Sequence, residues 1–298
     1  MHEAAWIDRY IAPLATAAGA DLLRDDVALL STPGPMIATM DTIVAGVHFL
    51  PDDPLDTVGQ KLVRVNVSDI LAKGAEPAEA LLSIAWSNQN SESEFAALIS
   101  GVARDLEEFG VSLIGGDLVG TSGPLTLSMT LTGRCINSTP VRRSGALAGE
   151  ALMINGEIGW GGLGLRAAQE GGPAERAQRY RVPRISSLLA AQTVADLATA
   201  SMDVSDGLLI DATRLAAASG CGLEINLESI PLADPTENTS DILTQCTSGD
   251  DYRILLSAAV GKAVPGFTTI GKLTANSGLR LLHQGQLVNA PSMLGFEH

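Results

Sequence analysis

Residues 62–74 read LVRVNVSDILAKG, and the fold can be worked outward from them. Val63, Val65 and Val67 alternate with Arg64, Asn66 and Ser68, the period-two pattern of a strand with one buried face. The alternation stops at Ser68 and Asp69. Ile70, Leu71 and Lys73 before Gly74 then predict a short helix, with Ser or Asp as its natural N-cap. Asp69 is therefore expected where a strand ends and a helix begins, its carboxylate close to backbone N–H groups. Two readings of it stand open: a cap for its own helix, or a holder of a phosphate or of a metal bridging to one.

Other acids stand in similar settings: Asp25 and Asp26, Asp41 after MIATM, Asp117 after SLIGG, Asp203 and Asp206 in MDVSDGL, Asp250 and Asp251 in SGDDY. One such residue is a cap, whereas a series along the chain points to a carboxylate-lined cleft. The VSD of residues 67–69 returns at 204–206, so both halves are expected to supply an acid in the same geometry. Gly115 and Gly116 before Asp117 allow a close approach of backbone to a ligand. The turn GEIGWGGLG at 156–164 reads either as a phosphate cradle or as a tight turn between strand and helix. It lacks the GK[ST] ending of a P-loop.

The composition narrows the function classes. A chain of 298 residues with 46% hydrophobic residues can bury a large core. Only 4% are aromatic, too few for stacking platforms on single-stranded nucleic acid. The 34 acids against 19 bases leave a formal charge of −15, which repels a polyphosphate backbone; no nucleic-acid partner is expected. An acidic protein that handles phosphates needs divalent cations between the two. Cys135, Cys221 and Cys246 form no CxxC pair, which argues for thiols in a reducing, cytoplasmic compartment rather than a disulfide framework or a zinc site. Glu3 and Asp8 interrupt the apolar pattern of the amino terminus, against a signal peptide. No apolar run approaches membrane-spanning length.

Along the chain, residues 3–18 predict an amphipathic helix, 27–30 and 36–40 short strands, 80–86 a strand, and 92–109 a helix closed by Gly110. Further strands are expected at 111–114, 125–131, 151–155, 202–204 and 223–227, then after Asp251 and at TTIGKL. Helices are expected around 165–170, 185–199 and 208–219. The basic, then small and flexible segment 139–149 sets a domain boundary, giving domains 1–138 and 139–298. The alternation predicts an α/β (α+β) protein of two domains with the ligand between them.

The blocks DDVALL, MDTIVAGVHFLPD, VNVSDILAKGAEP, LIGGD, RRSGA, MDVSDGLLID, SGDDY and IGKL resemble, in order and spacing, the thiamine-monophosphate kinase family of the aminoimidazole-ribonucleotide synthetase and selenophosphate synthetase superfamily. The resemblance covers nearly the whole chain. It implies phosphorylation of thiamine monophosphate to thiamine diphosphate with ATP and several Mg2+ ions. It also implies a homodimer built by an N-terminal mixed sheet with helices, and a C-terminal α/β sandwich. By the same resemblance Asp26, Thr39, Asp41, Asp69, Asp117, Asp203 and Asp206 would hold metal. Gly116, Asp117, Arg143 and Ser205 would contact ATP, and His48, Asp250 and Phe296 the thiamine phosphate.

The chain departs from the family pattern at Arg24, at Met40 for threonine, in SGDDYR for GGEDYE, and in Phe296 where a tryptophan is often found. Two rivals are another ATP-dependent enzyme of the superfamily (an amidine cyclase or a selenophosphate synthetase) and a non-catalytic nucleotide-binding scaffold. The selenophosphate reading expects a reactive Cys near the amino terminus, and the first here is Cys135.

Overall fold

The computed structural model describes residues 3–17, 20, 30 and 34–296. Asp26, Arg24 and most of the strand expected at 27–30 lie outside them. The chain divides into two compact units, one running to Ile70 and over Glu76–Ser138, the other comprising Leu71–Ala75 and Thr139–His298.

In the first unit the amino-terminal helix is broken into short pieces. Helix α1 (Glu3–Trp6) passes into a π-turn at Ile7–Ile11 and a 3-10 turn at Ala12–Leu14, where Pro13 removes a backbone donor. Strand β1 (Met36–Val44), helix α2 (Leu55–Ala72), strand β2 (Ala75–Ser87), helix α3 (Glu92–Glu108) and strands β3 (Ser112–Thr121) and β4 (Thr126–Cys135) follow. The strands form a mixed sheet in the order β1-β4-β2-β3, with β1 and β4 antiparallel and β2 and β3 parallel.

Helix α2 overturns the strand expected at 62–67. The whole stretch is one helix, and Asp69 lies in its last turns rather than at a strand-to-helix junction. The apparent alternation came from polar residues that are buried along with the valines: Gln60, Lys61, Asn66 and Ser68 are all inside. Their hydrogen-bond partners explain why that is tolerable. Asn66 Nδ2 donates to Leu62 O at 2.9 Å, and Gln60 Nε2 and Arg64 Nε donate to the fully buried Asp105 of α3 at 2.8 and 2.6 Å. The two helices meet at glycines. A Cβ on Gly101 would lie 1.8 Å from Asp56 O, and one on Gly59 2.3 Å from Leu98 O.

Helix α3 is as expected, opened by a capping box between Ser91 and Glu94. Trp86 of β2 packs edge-on against its Phe95 at 5.1 Å, and Ile70 of α2 seats on Gly133 of β4. Both helices thus cover the same sheet face, the one carrying Leu82, Ile84, Leu118, Leu127, Met129 and Leu131.

The second unit contains strand β5 (Ala151–Ile154), helices α4 (Trp160–Glu170), α5 (Ala174–Arg181) and α6 (Leu188–Leu197), strand β6 (Ala200–Val204), helix α7 (Leu208–Ala218), strand β7 (Gly222–Asn226), helix α8 (Thr239–Cys246), and strands β8 (Arg253–Ala258), β9 (Thr268–Thr274), β10 (Leu279–His283) and β11 (Gln286–Val288). Its sheet runs β11-β10-β7-β9-β5-β8-β6. Strand β8 is antiparallel to both β5 and β6. The carboxyl ends of β5 and β6 and the amino end of β8 therefore share one end of the sheet. Leu152, Ile154, Met202, Val204, Leu208, Leu215, Ile225 and Leu255 belong to the core behind it.

Candidate functional site

Each unit gathers part of the expected set. In the first, Thr39 and Asp41 sit two residues apart on β1, which puts both on the face under α2. Helix α2 meets them with Asn66 and Asp69, three residues apart on one helical stripe. Thr39 Oγ1 donates to Asp69 Oδ2 at 2.5 Å, and Asp41 N donates to Asn66 Oδ1 at 3.2 Å. Asn66 was missed by sequence reasoning because it read as the outward face of a strand. Asp41 is inside β1 and not at its end, and Met40 points to the opposite, exposed side.

His48 stands in the turn after β1, in the bridge between Ala45 and Phe49. Its Nδ1 accepts from Val44 N at 3.1 Å, so the neutral ring carries its proton on Nε2. Lys61, buried in α2, donates to His48 O at 3.0 Å and fixes the turn.

Asp117 is not brought to this group within the chain. It lies in the middle of β3, paired in register with Ser83 of β2, and is exposed on the sheet face away from the helices. Three strand spacings separate β3 from β1, roughly 14 Å. Gly116 lies close against its neighbour strand, where a Cβ would fall 1.8 Å from Leu82 O.

In the second unit the VSD at 204–206 does lie between a strand and a helix, and the expected residues cluster there. Asp203 is buried in β6. Asp250 N donates to Ser205 O at 2.7 Å, and Phe296 N to Asp206 O at 2.8 Å. Asp203, Ser205, Asp206, Asp250 and Phe296 are thereby assembled around one turn. Asp250 has φ 60 and Tyr252 φ 51, and Tyr252 OH donates to Asp250 Oδ1 at 2.8 Å. Arg143 is exposed, and its carbonyl is held by Ser219 at the opposite end of α7.

One acid that sequence reasoning did not assign organises this turn. Asp211, fully buried in α7, accepts from Ser205 N at 3.1 Å and Asp206 N at 3.0 Å. Burial pushes its carboxyl up from the ordinary value, against the pull of these amides and of Arg214. Arg214 bridges Asp211 and Asp206, and its bond to Asp206 raises its own pKa. The legible signal for Asp211 was an acid in the first turn of a helix.

Asp251 settles the glycine-rich turn. Both its oxygens accept from Gly159 N at 2.9 Å, and Oδ1 also accepts from Gly161 N at 3.3 Å. The N-terminus of α4 is occupied by a carboxylate of the protein itself, so the tight-turn reading holds and the phosphate-cradle reading does not. The glycines are there for packing: Cβ atoms on Gly161 and Gly162 would collide with Gly249 O and Ser248 Oγ.

The acids and hydroxyl at Thr39, Asp41 and Asp69 are hard oxygen donors of the kind magnesium takes. Among the described residues no group of three or more His, Cys, Asp or Glu converges closely enough to hold a metal alone. Among the described residues no helix is long and apolar enough to cross a membrane.

Comparison with known proteins follows the same division. Residues 24–135 match the AIR synthase related protein, N-terminal domain, and residues 148–281 its C-terminal domain. The thiamine-monophosphate kinase of Caulobacter vibrioides is 36% identical over 302 residues, covering 93% of this chain and 85% of that one. That of Salmonella typhimurium is 31% identical over 308 residues, covering 93% and 91%. Among solved structures, AaThiL complexed with AMPPCP and TMP superimposes with a TM-score of 0.79 at 28% identity, covering 88% of this chain and 87% of the other. The hydrogenase maturation protein HypE in complex with ATP gives a TM-score of 0.81 at 14% identity, with coverage of 99% and 96%; at that identity it speaks for the fold alone.

Proposed function

The chain belongs to the thiamine-monophosphate kinase family, and from that premise we propose that it transfers the γ-phosphoryl group of ATP to the phosphate of thiamine monophosphate, giving thiamine diphosphate. The observation that carries the reading is the likeness to these kinases along 93% of the chain, through both units. A structure from the same family, at 28% identity, holds an ATP analogue together with TMP.

In the reaction a terminal oxygen of the acceptor phosphate attacks the γ-phosphorus in line. The new P–O bond forms as the bond to the β,γ-bridging oxygen breaks, and ADP leaves with that electron pair. A phosphate monoester has its second pKa near ~6, so the attacking oxygen is already deprotonated at neutral pH. No side chain has to act as base. The obstacle is repulsion between two polyanions, and bound magnesium would neutralise that charge and polarise the γ-phosphate.

Thr39, Asp41 and Asp69 are the residues of the first unit proposed to hold magnesium, and Asp203 and Asp206 those of the second. Asn66 and Asp211 position them, the first through the Asp41 amide and the second through the amides of Ser205 and Asp206. Ser205, Gly116, Asp117 and Arg143 are proposed for ATP, and His48, Asp250 and Phe296 for the acceptor. Asp26 is assigned to metal by resemblance. We further propose a homodimer, supported by the uncovered sheet face that carries Asp117, and a cytoplasmic location, supported by three cysteines without a disulfide.

The test is turnover of ATP, magnesium and thiamine monophosphate, with the product identified by phosphorus NMR. The parent should form a diphosphate. Asp69→Asn should lose most of kcat, on the order of a hundredfold, since removal of a group that stabilises transferring charge typically costs that much. A parent that releases ADP equally without thiamine monophosphate would overturn the proposal.

A further inference from the structure

In a chain of formal charge −15, the second unit gathers three arginines at the sheet end that also presents Asp206. Arg253 opens β8, Arg179 lies in the last turn of α5, and Arg184 is exposed on the segment between α5 and α6. That segment is tied to the end of β5 by Asn155 Nδ2 donating to Ser186 Oγ at 2.9 Å. The Arg253 guanidinium lies flat on Gly156, where a Cβ would come within 3.1 Å of both Cζ and Nε. Its Nε–H is buried and meets no acceptor.

Arg179 Cζ stands 4.3 Å from the centre of the Trp160 ring. That indole donates to Glu157 Oε2 at 2.7 Å, an oxygen 3.6 Å from Arg179 Nη2. Burial, and then the charges of Arg184 and Arg253, hold Arg179 below its ordinary value. Burial lowers Arg253 as well, with Asp251 and Glu157 opposing and Arg184 adding to it. Of the nearby carboxylates, Asp251 is held by the amides of α4, and Glu157 Oε2 is shared between the indole and Arg179, one acid among three arginines.

We propose that Arg179, Arg184 and Arg253 form a receiving site for a phosphate group. Three guanidiniums that repel one another, one of them with a buried orphan donor, are stabilised by an anion that offers several oxygens at once. A phosphate dianion does so, carries two charges, and matches the planar forks of arginine. A carboxylate offers one charge and two oxygens. Stacking on Trp160 and the Gly156 platform hold two of the forks in place before the anion arrives. Strands β5 and β6 flank β8, and Arg253 pairs with Val204 of β6, one strand spacing of about 5 Å from the strand that leads into the turn with Asp206. The phosphate can come from the acceptor substrate or be free inorganic phosphate.

Titration calorimetry with inorganic phosphate at constant ionic strength tests this on the full chain, without turnover, so its outcome does not depend on the kinase reading. The parent should bind phosphate. Arg184→Gln and Arg253→Gln should each weaken binding by about tenfold or more, while Arg134→Gln in the first unit should leave it unchanged. Arg184 is exposed, so that variant keeps the test valid even if Arg253→Gln folds poorly. Displacement of phosphate by thiamine monophosphate but not by thiamine would identify the acceptor's own phosphate as the source. Retention under saturating thiamine monophosphate would identify free phosphate. No binding by the parent, or equal binding by the parent and Arg184→Gln, would overturn the site.

Discussion

Asp69 and Asp251 are the same side chain put to different uses by their surroundings. Asp69 is half-buried and shares a hydrogen bond with a hydroxyl, so its remaining lone pairs are available to a cation. Asp251 is buried, and burial lifts its pKa from 3.8 to about 7, against the two amides and Arg253, while Asp250 adds to the rise. Its folded value lies above its unfolded one. Between the two the native state keeps a proton that the unfolded chain has released, so stability falls as pH rises through that window and levels off above about 7. Asp251→Asn removes the titration while preserving the shape. The unfolding free energy of the parent from urea titration, measured relative to the variant from pH 4 to 8, should therefore decline with rising pH by up to about 1.4 kcal/mol per unit. Parallel profiles would show that Asp251 titrates normally. The sequence offers Asp69 as a cap or as a holder of phosphate or metal, but it holds no way to tell Asp251 from its neighbour Asp250. What separates them is which backbone amides the chain brings back to meet them, and that is settled by residues 90 positions away.

Helix α2 shows what local pattern can and cannot disclose. Alternating valines favour a strand by propensity, yet the segment is a helix because it is enclosed on nearly every side and no polar face remains to mark its period. The elements that were legible have one wet side or a local signal: β4 with its strict alternation, α3 with its capping box and Gly110, and the junction between β6 and α7. Helices α5 and α8 and strands β10 and β11 were missed. They are short, so a period has few residues in which to appear. Gly59 and Gly101 allow α2 and α3 to touch backbone to backbone, and that contact holds Asn66 and Asp69 over β1. Gly101→Ala would drive a methyl group into Asp56 O, with no flexible side chain to yield. It should cost about 1–3 kcal/mol or more, read as a loss in denaturant midpoint. Gly123→Ala, whose Cβ would meet only Thr121 Oγ1 at 3.4 Å, should stay within about 0.5 kcal/mol. Equal effects would mean that the helix crossing relaxes freely.

At the scale of the whole molecule, the first unit leaves a sheet half covered. Among the described residues helices lie on one face only, and the other exposes Met40, Leu81 and Val119 among Ala38, Thr42 and Ser83. Among the described residues β1 and β3 each pair on one side only, so the sheet also ends in two open edges. An apolar face and unpaired edges are both liabilities for a lone chain. A second copy closing over the face would bury the one and shorten the other. The same face carries Asp117 at β3, whereas Thr39 and Asp41 lie on the opposite face, under α2. Closure of two such faces would bury Asp117 in the seam, so the proposed homodimer bears on the role proposed for Asp117. Leu81→Glu places a charge in the middle of the face and touches none of the metal-holding residues. Sedimentation should show a dimer for the parent and a monomer for the variant, with kcat reduced at least about tenfold in the monomer and the far-ultraviolet spectrum unchanged. A monomeric parent would overturn the homodimer, and a monomeric variant with full activity would show that each chain works alone.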